Sequence, residues 1–233
     1  MPLNWIKKSA ILCGLLSMMT MDFALAAPKK ITLEYELERD GQLFANVTEH
    51  FTQDANQYKI ESVTQGIGVY ALLGKRELKS NGIVTKQGLK PLHFASLQSS
   101  SAKRTLINDF DWENKLLKMQ VKGRQQEQAL QDGTQDLLSI MYQFMFKPPT
   151  QMTFDTPLTI GKKVSIADYA VTSKTEVLKI KAGQFNVVTL TERNTDEPKV
   201  IYLSKDDHYL PVKVVMYDDG AKFEQTLTKL TIE

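Results

Sequence analysis

Apolar and polar residues alternate with a period of two along most of this chain. In residues 31–38, Ile31, Leu33, Tyr35 and Leu37 interleave with Thr32, Glu34, Glu36 and Glu38. That is the pattern of a strand with one buried and one wet face. A turn at 39–42 contains Gly41, and residues 43–51 read as the returning strand. The same texture recurs at 58–65, 76–84, 92–98, 104–112 and 116–120. It resumes at 163–173, 175–181, 185–193, 199–203, 210–217 and 222–232, the last two joined by a turn through Asp218, Asp219 and Gly220. About a dozen short strands with turn signals near every ten residues predict a mainly β protein. The expected form is antiparallel, either a strongly curved sheet or an open barrel. Repeated βα units would need a crossover helix between each pair of parallel strands, and one strong helix is visible.

That helix is expected over residues 135–146, packed against or inside the sheet. Thr134 is a candidate N-cap, Asp136 suits the positive end of the helix, and Pro148 and Pro149 stop it. Leu137, Leu138, Ile140, Met141, Phe144, Met145 and Phe146 cover more than one stripe, so the segment has to be largely buried. A second apolar stretch at 66–74, bracketed by glycines, lacks clean alternation. It reads as a short helix or a loop lying across the end of the barrel.

The first 26 residues read as a secretory signal. Lys7 and Lys8 precede an uncharged, mostly apolar stretch at 9–21, and Ala24-Leu25-Ala26 has the small-x-small form that signal peptidase accepts. As a helix that stretch would reach about 20 Å, short of the roughly 30 Å bilayer core. Leu12 before Cys13 is too bulky for lipoprotein processing. Cleavage after Ala26 would leave residues 27–233 as one β-rich domain in the periplasm, with no cysteine and no later transmembrane segment.

Candidate chemistry is sparse. Lys and Arg number 29 against 27 Asp and Glu, too balanced for a nucleic-acid partner. His50, His93 and His208 are widely spaced and form no local metal pattern, so neither a metal nor a cofactor is expected. Gly66, Gly68 and Ala71 match a dinucleotide loop by letter, yet they follow a meander strand rather than opening a βαβ unit. Ser100 and Lys103 have the spacing of a Ser/Lys device but lack its companion motifs. Asp109 and Asp111 share a strand face about 7 Å apart, a separation that glycoside hydrolysis can use. Both are expected on the wet face opposite Phe110, where nothing would raise a carboxyl pKa.

Several stretches taken in order carry a family resemblance. They are the opening strand, residues 66–74, Gly88-Leu89-Lys90-Pro91, Phe110-Asp111-Trp112 and residues 132–136 leading the helix. Ala182-Gly183-Gln184-Phe185 and Tyr209-Leu210-Pro211-Val212 follow. From about residue 31 to 232 the chain resembles the bacterial domain-of-unknown-function family 3108, which implies a secreted, β-rich fold and no known activity. More loosely, the layout is similar to periplasmic lipoprotein carriers of the Lol type, whose curved sheet wraps a helix. Folds host many functions, so this likeness implies architecture only.

The reading that follows is a non-enzymatic envelope protein binding a lipid, another apolar ligand or an envelope partner. No catalytic residue is assigned. The candidate binding residues are Ile67, Tyr70 and Leu73 on the glycine-bracketed stretch, with Leu138, Met141, Phe144 and Met145 on the helix. Two other readings stay open: an envelope-polymer hydrolase using Asp109, Asp111 or a histidine, and a structural scaffold with a filled interior.

Overall fold

The computed structural model describes residues 27–100, 104–172 and 174–233. The segment read as a signal, with Cys13, and Lys103 lie outside them. The first half of the chain is a meander. It contains β1 (Lys30–Arg39), β2 (Gln42–Asp54), β3 (Gln57–Gly66), β4 (Lys75–Thr85), β5 (Gly88–Gln98), β6 (Leu106–Asp111), β7 (Leu116–Val121) and β8 (Arg124–Ala129). A 3-10 turn, Gly68–Leu73, separates β3 from β4. The second half opens with β9 (Gln135–Asp136), helix α1 (Ser139–Gln143), β10 (Thr153–Thr159) and β11 (Val164–Val171). It continues through β12 (Glu176–Ile180), β13 (Gly183–Glu192), β14 (Val200–Ser204), β15 (Leu210–Asp218) and β16 (Ala221–Ile232).

All these strands form one 16-stranded sheet. Its order is β8-β7-β6-β5-β4-β3-β2-β1-β16-β15-β14-β13-β11-β10-β9, with β12 on β13. The chain therefore starts at the middle, walks out to the β8 edge, crosses to the β9 edge and walks back. β1 and β16 meet at the centre, from Ile31 opposite Ile232 to Arg39 opposite Phe223. Every pairing is antiparallel except β9 with β10. Register shifts at Glu34/Tyr35, Leu37/Glu38, Asn81/Gly82 and Tyr202/Leu203 mark bulges, which bend a sheet and sharpen its twist. Gly82 is needed at its bulge, since a Cβ there would collide with the Lys90 carbonyl oxygen.

The curl brings the two ends together without a ladder between them. Gln126 on β8 donates to the Lys162 carbonyl at 2.8 Å, and Gln128 accepts from the Val164 amide at 3.4 Å. The Asn108 amide and Thr159 hydroxyl lie 2.8 Å apart in the interior. The sheet is thus barrel-like and open, its ends tied by side chains.

The crossing segment between β8 and β10 runs through the concave side, and this places α1 there. Leu138 and Tyr142 join a core with Ile31, Leu33, Tyr35, Phe51 and Leu227. Ile140 and Phe144 join a second one with Leu158, Tyr169, Leu190 and Leu203.

Three details differ from the sequence reading. The strands number sixteen rather than about a dozen, because β8, β9 and β10 were missed. β8 is an edge strand exposed at every position, so its Arg-Gln-Gln-Glu-Gln-Ala sequence carries no alternation. β9 is two residues long, and β10 follows a pair of prolines and contains Pro157. The expected helix over 135–146 is helical only at Ser139–Gln143. Residues 135–136 are strand, and beyond Gln143 the chain continues in turns, Met145 and Phe146 donating three residues back. Thr134 is also not the cap: its hydroxyl donates to the Gln131 carbonyl. The Asp136 carboxylate instead accepts from the Leu138 and Ser139 amides, both at 2.9 Å.

Candidate functional site

A cavity of about 550 Å³ lies between α1 and the sheet centre. Strand alternation builds its walls, since residues two apart face the same way. β2 contributes Ala45, Val47 and Glu49, β3 contributes Ser62, Thr64 and Gly66, and β4 contributes Arg76 and Leu78. From the other half, Val214, Met216 and Asp218 of β15 and Phe223 and Gln225 of β16 complete it. Leu137, Leu138 and Met141 form the wall opposite. Ala45, Val47, Leu138 and Val214 are buried in its walls, while Leu73, Arg76, Arg104 and Asp218 are exposed at a mouth.

The 3-10 turn forms a lip over that mouth. Gly66 lets the chain fold back, because a Cβ there would strike the Tyr70 carbonyl. The Tyr70 ring packs on Phe44 at 4.6 Å between centroids. Below the lip, the Ser100 hydroxyl donates to the Leu73 carbonyl at 2.8 Å, and Gln98 donates to the same oxygen at 2.7 Å. Above it, Val69 is 76% and Leu72 88% exposed, so two large apolar side chains stand in solvent beside the opening.

Glu49 is buried in the lining. Tyr142 donates to one of its oxygens at 2.9 Å and Ser62 to the other at 3.1 Å, tying α1 to β2 and β3. Burial raises its carboxyl pKa above the ordinary value, although hydrogen bonds from Tyr142, Ser62 and Gln225 act the other way. Asp136 is likewise raised by burial against opposing bonds from Ser80, Ser139 and Leu138. These two buried carboxyls tie the segment around α1 to the sheet. At the mouth, loss of hydration lowers the Arg76 pKa, with Asp218 acting in the opposite direction. Burial similarly lowers that of Lys199, opposed by Glu192.

The candidate residues divide. Tyr70, Leu73, Leu138 and Met141 line the cavity. Phe144 does not: it is fully buried on the far side of α1, its ring edge-on to Phe154 at 5.1 Å. Met145 packs into the first core beyond the helix end, and Ile67 is half-buried at the lip's start, its amide bonded to the Phe44 carbonyl. Sequence reasoning missed Glu49, Arg76, Arg104 and Lys199. A signal existed for Glu49, which falls in phase with Ala45, Val47 and Phe51, so a carboxyl was bound to face inward.

The carboxylates considered for hydrolysis lie elsewhere. Asp109 is exposed and 2.7 Å from His93 Nδ1. Asp111 is held by the Asn114 side chain and amide and by Lys118, which lower its pKa and keep it ionised. Neither suits a general acid. Among the described residues, no three His, Cys, Asp or Glu side chains gather where a metal could bind. No helix among them is long and apolar enough to cross a membrane.

An open, strongly curled antiparallel sheet with a short helix on its concave side and a cavity between them defines a β-barrel-like protein. The chain belongs to the family described as "Protein of unknown function (DUF3108)", which matches residues 31–228. Among solved structures it is similar to a β-barrel-like protein of the domain of unknown function DUF1849 from Brucella abortus. The TM-score is 0.58 at 14% identity, over 88% of this chain and 98% of that one, a likeness of fold alone. No curated protein matches the chain.

Proposed function

We propose that this is a periplasmic, non-enzymatic protein that holds an apolar ligand between α1 and the sheet. The observation that carries this reading is the cavity itself. Its volume of about 550 Å³ falls within the roughly 300–1,000 Å³ typical of small-molecule sites. Apolar side chains of α1, β1, β2, β4 and β15 converge on it, with the lip among its lining. A filled scaffold would leave no such space, and the lowered pKa of half-buried Asp111, held by Asn114 and Lys118, argues against the hydrolase. The exposed Val69 and Leu72 support transfer from an apolar phase, since a ligand leaving a membrane or a partner protein would pass them.

Native mass spectrometry of the protein purified from an envelope fraction, followed by organic extraction, tests this. A stoichiometric lipid-sized mass is expected, and it should vanish in Met141→Asp. A bare polypeptide that also takes up no apolar probe would overturn the reading. The periplasmic assignment is tested by fractionation, with a mature N-terminus at Ala27 expected.

A further inference from the structure

We infer that the ligand is a single-chain amphiphile with an anionic head, its tail against Leu138, Met141 and Val214 and its head held by Arg76, Arg104 and Lys199. This rests on the apolar-ligand reading above and names the chemical class that the same site takes.

The lining combines buried apolar side chains with cationic ones. Val47, Leu138 and Val214 are buried in it, whereas Arg76 and Arg104 are exposed and Lys199 is half-buried. Against them stand Asp218 in the lining and Glu192 beside Lys199, whose backbone amide donates to its carboxylate at 3.1 Å. Glu49, the other acid in the cavity, is buried, bonded to Tyr142 and Ser62, in surroundings that favour its neutral form. Arg76 is in phase with Leu78, so its strand directs it into the cavity rather than to the outer face.

These cations make no close ion pair, although Asp218 acts on Arg76 and Glu192 on Lys199 from farther off. Among the described residues, no carboxylate oxygen lies within 4.0 Å of the side-chain nitrogens of Arg76, Arg104 or Lys199. Elsewhere the protein pairs comparable groups: Asp168 clamps Arg193 at 2.6 Å, and Glu224 sits between Lys213 and Lys222. Desolvation disfavours the charged form of half-buried Lys199. An anionic head would relieve that cost, and guanidinium groups match carboxylate and phosphate oxygens in pairs. A cationic or zwitterionic head would meet the same groups with part or all of its charge repelled.

The test holds the chain constant and changes the head. The protein is loaded with the uncharged fluorescent probe N-phenyl-1-naphthylamine, then titrated with dodecanoate, dodecyl phosphate or dodecan-1-ol below their micelle concentrations. At least one anion should displace the probe at concentrations about 10-fold or more below the alcohol, as expected when charged hydrogen bonds form. Whichever anion is tighter assigns the head as carboxylate or phosphate. Arg76→Gln and Lys199→Met should each shrink that preference, Asp218→Asn should widen it, and added salt should weaken the anions but not the alcohol. Equal potency of alcohol and anions would overturn the head-group inference and leave the apolar ligand standing. Failure of the wild-type protein to take up the probe would overturn both.

Discussion

On one side of α1, Ile140 and Phe144 sink into a packed layer with Phe154, Tyr169, Leu190 and Leu203. On the other, Leu138 and Met141 look across unfilled space toward β2 and β3. Both faces of the helix are apolar, so the difference comes from what stands opposite. The filled side meets large aromatic and branched residues, whereas the open side meets Ala45, Ser62, Thr64 and Gly66. A cavity here is made by small side chains on two neighbouring strands, at positions where a core would carry Leu or Phe. The helix is a partition between a region built for stability and one left free.

Truncation on the filled side should have the largest effect. Phe144→Ala should destabilise the fold by about 3–5 kcal/mol, read from urea denaturation, because packed neighbours cannot collapse into the space. The tie between the two regions comes next. Tyr142→Phe deprives buried Glu49 of a partner and should cost about 1–3 kcal/mol.

The same tie makes stability depend on pH with a definite sign. Glu49 and Asp136 have raised pKa values in the folded state. Below their ordinary values both folded and unfolded chains are protonated, and their contribution is complete. As pH rises, the unfolded chain releases its protons first, so stability falls on the way up to the folded values. Urea midpoints should therefore decline between about pH 5 and the folded pKa values, and less steeply in Glu49→Gln, with Asp136 supplying the remainder. A Gln variant with an unchanged slope would remove Glu49 from this account.

Filling the open side should separate binding from stability. Thr64→Leu should alter stability by less than about 1.5 kcal/mol, yet abolish uptake of an apolar probe measured by fluorescence. If it cost as much as Phe144→Ala, the two sides of α1 would not differ in the way described. The smallest effect is expected at the lip, where Val69→Ser with Leu72→Ser should stay within about 0.5 kcal/mol per substitution in stability. Loading of the probe from lipid vesicles should nevertheless slow in stopped-flow traces.

Alternation made the sheet legible wherever one face was buried, as in β1 with Leu33 and Tyr35 inside. It fell silent at β8, which is wet on both faces. The segment at 135–146 misled for a different reason. A run that is apolar all round has no periodicity to set its length, and the capping chemistry of Asp136 with Ser139 decides where the helix begins. That brevity also explains the candidate residues: Leu138 and Met141 share the cavity side, Phe144 falls one turn beyond Ile140 on the other, and Met145 lies past the helix end. The cations at the mouth come from β4, from the segment before β6 and from that before β14, which only the curl brings together. No local pattern could have grouped them.

The pairing of β1 with β16 has a consequence for assembly. Strands made first and strands made last contribute opposite sides of the same cavity, so it does not exist until the final ladder zips. While the chain emerges or is threaded across a membrane, β1 keeps a bare hydrogen-bonding edge, and contacts of such long sequence separation form slowly. Nothing can be carried by a half-made molecule of this design. On the reading proposed above, loading of a ligand would wait for the completion of folding, and a filled cavity would report that the sheet has closed its last seam.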